Sequence, residues 1–519
     1  MSRHSSWLRI AGAVVSGALL AAAYPPLELA AFAWFALAPL GLAVRGADLR
    51  AAARLGFLAG AVFWFCALFW LTPVTVAGYS ILAFYCALYF IPPAVFAARW
   101  TARAPAPDWN ANLGFMIGWT AIWTAGEFLR GALFTGFPWN PLGVSQYRNT
   151  VIIQTAAWGG VWAVSALIAW VNSAAIVTVF RYAARAPGTP WRAAHPELML
   201  AFLAVAGAFL HGSRAILALP APDASIRVAL VQPAVPQYEK WDEAFVAGIY
   251  EKLRALTETA HRAGRPELVV WPETAVPDNL RTSEEAAGLV RDLTASGIPL
   301  LAGALDGFLD EARQPHYRNS AFLIADSDVR ESYDKQHLVL FGEYIPFSDR
   351  WPILRRLTPV EYDVEPGRVP VVFRALRADA PFAALICFED VFPYLGRRFA
   401  RAGARWFVNL TNDAWYEPYS GSRQHLAQAV FRCIETRRPM ARSANTGVTG
   451  WIDAAGRIRA QLPTRTPDGG LAAGFLSAEI PLPPADAPAT FYVRRGDVFA
   501  GNACAVALGM LVLALRRRT

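Results

Sequence analysis

The apolar residues of this 519-residue chain fall into two patterns. One consists of long unbroken runs, each approaching the roughly 20 residues needed to cross the hydrocarbon core of a bilayer. Eight such runs are read: Trp7 to Tyr24, Leu29 to Val44, Leu55 to Leu71, Tyr79 to Ala98, Ala111 to Leu129, Trp158 to Phe180, Leu198 to Leu217 and Val498 to Leu515. The second pattern fills the interval between the last two. From about Pro220 to Arg494, short β-rich runs such as "RVALVQ", "ELVVWPET", "PLLAGALD", "NSAFLIA", "PFAALICFED" and "RWFVNLTND" alternate with stretches at helical spacing, Glu243 to Arg265 and Gln424 to Arg438 among them. These runs are apolar on both faces, as strands are when helices cover both sides of a sheet. The expected architecture is therefore mixed. A polytopic α-helical membrane domain of about eight transmembrane helices takes residues 1–219 (seven helices) and 495–519 (the eighth, with an arginine tail), and an α/β domain takes 220–494.

Composition agrees with a chain that lives partly in lipid: 55% hydrophobic, 17% charged, 19 Trp. Charge then orients it, because Arg and Lys favour the cytoplasmic side. With the N-terminus inside, the inside connections hold thirteen arginines (Arg3, Arg9, Arg45, Arg50, Arg54, Arg99, Arg103, Arg181, Arg185, Arg192, Arg516, Arg517, Arg518) against Asp48, Asp108 and Glu197, a net of +10. The outside connections "PPLE", "TPVTVAGYS" and Gly131 to Ala157 carry one arginine, Arg148. The inside excess is larger than the whole chain's +8, so the basic balance requires no nucleic-acid partner. Arg3 and Arg9 before an apolar run ending in "AAAY" also fit a cleaved leader, but the prolines that follow and the further spans favour retention. Both termini then lie in the cytoplasm and the α/β domain outside it. No ATP is available there, so synthetic chemistry must draw on a group already activated in the substrate.

Five cysteines, Cys66, Cys86, Cys387, Cys433 and Cys504, form no C-x-x-C and no metal-like spacing with histidine. Cys387 and Cys433 fall outside the cytoplasm, where a disulfide is permitted. Cys387 also ends an apolar run, beside "ED". Two other strand ends carry polar residues that structure alone does not require: Glu273 in "VVWPET", and Lys335 with Glu343 in "YDKQHLVLFGEYIPF". Brought to one sheet edge, a carboxylate can take the thiol proton, an ammonium can lower the thiol pKa and donate to an oxyanion, and a thiolate can attack a carbonyl. In the membrane half, Glu127 and Arg130 stand one helical turn apart at the end of a span, where an ionisable pair shapes either domain docking or a lipid entry. "TRRP", with Arg437 and Arg438, is either a phosphate contact or a solvated helix end. His425 reads as structural.

Glu273, Lys335 and Cys387, in that order and each in its own phrase, resemble the Glu-Lys-Cys triad of the nitrilase superfamily, which implies an αββα sandwich for 220–494. "VQPAVPQYEKW", "NLTNDAWY", "QHLAQAVFRCIETRRPMARSANTG", "TFYVRRGD" and, in the membrane half, "WTAGEFLRG" and "FTGFPWN" narrow the resemblance to the apolipoprotein N-acyltransferases, over nearly the whole chain. That family implies a bacterial inner membrane enzyme with a periplasmic catalytic domain and no cofactor. It implies ping-pong transfer of the sn-1 acyl group of a phospholipid, commonly phosphatidylethanolamine, through a Cys387 thioester to the α-amine of a diacylglyceryl-cysteine apolipoprotein. By position Glu273 is the general base, Lys335 the oxyanion lysine and Cys387 the nucleophile. Glu343 would orient Lys335 or assist proton transfer, the Phe388 N–H would donate to the oxyanion, and Glu389 would hold the loop or form a structural ion pair. Phe388 stands where the family often has tyrosine, so a role for that hydroxyl is absent. Trp241, Trp415 and Tyr416 match aromatic positions near the substrates. One chain supplies every part, so a monomer is expected. The alternatives are a membrane-tethered amidase that hydrolyses a small C–N bond with the same triad, and a non-enzymatic envelope scaffold or transporter. The spans count against the first and the complete triad against the second.

Overall fold

The computed structural model describes residues 3–102, 109–183, 195–309, 313–348, 350–357 and 363–516. Arg103, Asp108, Arg185, Arg192, Arg517 and Arg518, counted above in the inside charge, lie outside the described residues. The chain divides into two compact units, Met1–Ala218 with Arg494–Thr519, and Leu219–Val493.

The first unit is helical, and helices stand at all eight apolar runs. Among the described residues five are long and apolar enough to cross a membrane: Leu49–Ala67, Val76–Thr101, Val161–Ala183, Pro196–Leu217 and Val498–Arg516. The helix Trp109–Arg130 has 22 residues but falls outside those five. The first two runs form shorter apolar helices. The second is broken into a 3-10 turn, Ala30–Trp34, and a short helix, Ala38–Ala43. The break is tolerated because Asn172, buried in the helix Val161–Ala183, takes up the freed backbone groups. Its Oδ1 accepts from Leu37 N at 2.9 Å, and its Nδ2 donates to Ala33 O at 2.9 Å. In hydrocarbon each such group left unpaired would cost several kcal/mol, on the order of 4.

Contacts within this unit group residues by the side assigned to them. Arg9 donates to Arg45 O at 2.9 Å, and the Arg45 guanidinium lies 4.8 Å from the Phe180 ring. At the other end of the first helix, Glu28 pairs with Arg148 at 2.8 Å, and Tyr24 donates to Pro141 O at 3.0 Å. Glu127 and Arg130 are both buried, and they clamp one loop. Arg130 donates to Phe137 O (2.6 Å) and Trp139 O (2.7 Å) and stacks on Trp64, while Glu127 accepts from Leu142 N (2.7 Å). They fix the "GFPWN" loop to the helix that carries them.

Among the described residues the second unit is built on two sheets flanked by four long helices. Strands β1 (Ala224–Gln232), β2 (Leu268–Val270), β3 (Val276–Asn279), β4 (Leu300–Leu309), β5 (Pro315–Ala325), β6 (Asp328–Asp334) and β12 (Gly474–Leu482) form a seven-stranded sheet, ordered β12-β1-β2-β4-β5-β6 with β3 on β4. Strands β7 (Phe382–Ile386), β8 (Trp406–Thr411), β9 (Met440–Ala444), β10 (Gly450–Ile452) and β11 (Ile458–Gln461) form a five-stranded one, ordered β11-β10-β9-β8-β7. Helices Glu243–Gly264 and Glu284–Ala295 bury Leu253, Ala260, Val290 and Leu293 with Val269, Leu300 and Phe322 on one face of the first sheet. Helices Pro393–Arg401 and Gly421–Thr436 follow strands of the second. The two sheets are joined by Ser443 of β9, whose hydroxyl donates to Val231 O at 2.7 Å. The expected αββα sandwich forms in the second unit, and the first is helical and apolar.

Sheet direction decides where the polar strand ends emerge. Strand β2 is parallel to β4, β5 antiparallel to β4, and β6 antiparallel to β5. So β6 runs with β2, and the residues just beyond both carboxyl ends, Glu273 and Lys335, share an edge. In the second sheet β7 and β8 are parallel, which brings Cys387 and Thr411 to their common edge. In open α/β sheets the carboxyl edge is where ligands bind.

Candidate active site

Glu273 lies in a turn after β2, where Thr274 takes a left-handed φ of +42°. That turn sits on Gly303 of β4: a Cβ there would come within 2.3 Å of Pro272 O and 2.8 Å of Glu273 Cα. The Glu273 carboxylate is buried and fully engaged. Oε1 takes Lys335 Nζ at 3.1 Å and Asn319 Nδ2 at 2.8 Å, and Oε2 accepts from Asn412 N at 3.0 Å. The Cys387 thiol is close enough to this carboxylate to lower its pKa. Lys335, 1% exposed, reaches Glu343 Oε1 at 2.9 Å as well. Glu343 is in turn held by Asn319 Nδ2 at 2.9 Å and Val339 N at 2.8 Å.

Cys387 follows β7 with φ +51°, a left-handed value that an L residue adopts only when its surroundings hold it there. The holding group is Glu389. Its Oε2 accepts from Ile386 N at 2.8 Å, and its Oε1 accepts from Gln336 N (2.7 Å), His337 N (3.1 Å) and the Tyr333 hydroxyl (2.8 Å). One buried carboxylate thus ties the cysteine turn to the Lys335 loop. Of the two roles left open for it, the loop tie is the one built, because its partners are backbone N–H groups and a phenol. Asn409 Nδ2 donates to Cys387 O at 3.1 Å, and the Thr411 hydroxyl lies 3.4 Å from Cys387 Sγ.

The charge state follows from this packing. Burial alone would raise Glu273; the Lys335 ammonium, the Cys387 thiol and Lys240 together hold it below the usual carboxylate range. Burial opposes the Lys335 charge, but Glu273 and Glu343 hold its pKa well above the ordinary value. For Cys387, burial and then Glu273 push the thiol well above its usual value, and Lys335, pulling downward as a cation must, does not prevail. At rest the site therefore contains a carboxylate, an ammonium and a neutral thiol. Such a set attacks a carbonyl only if the carboxylate takes the proton as the sulfur advances.

Of the aromatic candidates, Tyr416 is half-buried beside the site, where burial and then Cys387, Asp413 and Glu273 raise its phenol well above the ordinary range. Trp415 is exposed. Trp241 is 45% exposed, with the Lys240 ammonium 5.6 Å from its ring centre. Phe388 is half-buried, edge-on to Phe392. Arg437 and Arg438 are not a solvated helix end: they donate to Ala454 O and Ala404 O and brace the end of the helix Gly421–Thr436. Cys387 and Cys433 are free thiols, so the permitted disulfide does not form.

His425 belongs to a buried square of charges behind the cysteine. Its ring nitrogens meet Asp390 at 2.8 Å and Asp413 at 2.9 Å, and Arg442 bridges the same two carboxylates at 2.7 and 3.0 Å. Asp413 also accepts from Thr411 at 3.2 Å, which links the square to the sulfur. Burial lowers the His425 pKa, but Asp390 and Asp413 outweigh it and bring it to about 9. The folded protein therefore holds a proton that an unfolded chain, at the ordinary value of 6.5, releases first. The contribution, on the order of 3 kcal/mol, is complete below pH 6.5 and lost as pH rises through about 9. The melting temperature of the parent protein should fall across that window, and the fall should be absent in His425→Gln.

Sequence reasoning missed Lys240, Asn319, Gly303 and Thr411. Asn319 carried a legible signal, a carboxamide at the head of the apolar run "NSAFLIA". Lys240 adjoins Trp241 in "EKW", but an isolated lysine gives no hint of burial.

The fold and the Glu-Lys-Cys cluster define a carbon–nitrogen hydrolase domain carried by a chain of apolar helices. The sequence model for carbon–nitrogen hydrolases matches residues 227–484, and that for the apolipoprotein N-acyltransferase N-terminal domain matches 16–174. The apolipoprotein N-acyltransferase of Geobacter metallireducens is 36% identical over 98% of this chain and 95% of its own. That of Brucella melitensis is 32% identical over 88% of each. The chain belongs to the apolipoprotein N-acyltransferase family. Among solved structures, a nitrilase-superfamily amidase from Nesterenkonia AN1 matches at 18% identity and a TM-score of 0.38, over 55% of this chain and 99% of that one.

Proposed function

We propose that this protein transfers a fatty acyl group from a membrane phospholipid to the N-terminal amine of diacylglyceryl apolipoproteins, through a thioester on Cys387. The observation that carries the reading is the contact of the Glu273 carboxylate with both the Lys335 ammonium and the Cys387 thiol at one sheet edge. In the first half-reaction Glu273 accepts the thiol proton as sulfur bonds to the ester carbonyl carbon. Lys335 stabilises the oxyanion, with the Phe388 N–H as a second donor. The C–O bond then breaks, and the lysophospholipid oxygen leaves with the proton from Glu273. In the second, the α-amine attacks the thioester carbon, the C–S bond breaks, and the amine proton passes through Glu273 back to sulfur. A thioester retains the acyl-transfer potential of the ester and yields an amide without ATP.

Glu343 orients Lys335, Glu389 fixes the cysteine turn, and Trp241, Trp415 and Tyr416 border the acyl chains. Phosphatidylethanolamine is the proposed donor, and a single chain the working unit. The arginine distribution and the end-to-end grouping of helix contacts support cytoplasmic termini and a periplasmic catalytic domain in a bacterial inner membrane. The test is intact-protein mass spectrometry after incubation with phosphatidylethanolamine. An added mass of one acyl group is expected, removable by hydroxylamine and by a diacylglyceryl peptide with a free N-terminus, and missing from Cys387→Ser. A folded enzyme with no adduct that instead hydrolyses small amides would make the tethered amidase the better reading.

A further inference from the structure

The loop between β1 and the helix Glu243–Gly264 carries a second buried ammonium at the site. Lys240 is 2% exposed. Its Nζ lies 2.5 Å from Thr274 Oγ1 and 3.2 Å from the Glu273 carbonyl oxygen. Both acceptors are neutral, and among the described residues no carboxylate pairs with it directly. A charge buried on neutral partners is costly, so a plain packing role would be better served by an apolar side chain. What Lys240 touches is the left-handed turn that presents Glu273. The loop that carries it is itself fixed: Asn445, just past β9, accepts from Val235 N at 3.0 Å and donates back to Val235 O at 2.9 Å. Asn412, whose N–H binds Glu273, donates to Gln237 Oε1 of the same loop at 2.9 Å.

We propose that Lys240 is a positioning residue for acyl transfer: it pins the Glu273 turn and supplies, behind Glu273, a second positive charge that favours negative charge on the Cys387 sulfur. This rests on the acyl-transfer reading above. The groups that face or neighbour Lys240 are Glu273 and Thr274 after β2, Cys387 after β7, Lys335 with Glu343 beyond Glu273, and the Trp241 ring. Burial draws the lysine down to about 8, with Glu273 and Cys387 resisting. Below that pH the second charge is present. Above it the charge is lost, and a thiol already hard to ionise becomes harder.

The experiment measures the rate of adduct formation on Cys387 in the full-length enzyme with phosphatidylethanolamine vesicles and no acceptor, at pH values on both sides of 8. Leaving out the acceptor removes the titration of its amine. The parent rate should fall as pH rises through about 8. Lys240→Arg should keep the neutral rate and lose the fall, because a guanidinium stays charged. Lys240→Met should slow adduct formation about 10- to 100-fold at neutral pH. A parent rate that is flat or rising through pH 8 would overturn the inference, as would a Lys240→Arg profile that falls like the parent's or a folded Lys240→Met that reacts like the parent. If Lys240→Met does not fold, the parent and Lys240→Arg profiles decide alone. No adduct in the parent at any pH would remove the acyl-transfer reading itself, and this inference with it.

Discussion

Glu273→Gln should slow formation of the acyl adduct on Cys387 by about 10³- to 10⁴-fold, the upper part of the range for a lost general base. The amide keeps the shape of the side chain and one acceptor oxygen for Lys335 and Asn319, so the fold should survive. What it loses is the ability to take a proton. In the parent that ability is essential, because burial holds the Cys387 thiol well above its ordinary pKa and almost no thiolate exists at rest. The variant must therefore wait for hydroxide to make the thiolate, and its residual rate should climb about tenfold per pH unit. The parent should show no such slope near neutrality, since its carboxylate is held below the usual range and is already ionised there. Adduct mass against time at several pH values, with thermal unfolding as a control for folding, checks both statements. A Glu273→Gln enzyme with the parent's rate and pH profile would remove Glu273 from the chemistry.

Lys335→Met should be the second severe change, and it should cost both activity and stability. Lys335 touches both Glu273 (3.1 Å) and Glu343 (2.9 Å), and its side chain is almost wholly out of water. Removing it leaves two carboxylates close together with Asn319 as their shared donor. Breaking a buried ion pair from one side typically costs about 3–5 kcal/mol. Adduct formation should fall at the same time, by at least about 10²-fold, through loss of an oxyanion donor. The two effects separate in the double variant Lys335→Met with Glu343→Gln. Neutralising one stranded carboxylate should restore part of the melting temperature and none of the rate. If the double variant melts no higher than the single one, the destabilisation does not come from unpaired charge.

Stability and chemistry meet at these residues because the site is built from strand ends of both sheets, each held by a side chain of another segment. Glu389 shows this most directly: it satisfies the backbone on either side of the site, so the left-handed cysteine and the lysine loop keep a fixed separation. The charge square of Asp390, His425, Asp413 and Arg442 does the same from behind.

How much of this was legible varies with the range of the interactions. The apolar runs marked the helices because a bilayer demands unbroken hydrophobic length, yet the break after Trp34 and its repair by Asn172 depend on two segments 135 residues apart. The strands were legible from apolar runs bounded by polar residues, and Glu273, Lys335 and Cys387 from their positions at the ends of those runs. Their contact required the order of both sheets, since β6 comes to run with β2 only through two antiparallel steps. Gly303 could not be singled out, because a glycine in a strand is explained only by what packs against it. Nor could Lys240, whose weight comes from the loss of water around its ammonium. The sequence by itself determined the two kinds of unit, the strand-end residues proposed to carry the chemistry, and the arginine asymmetry, because each is a local pattern of hydropathy or charge. Only the tertiary structure decided that the thiol rests neutral, that Glu389 is a backbone tie and His425 part of a charge square. Ionisation and hydrogen bonding depend on desolvation and on partners that the chain brings together only when folded.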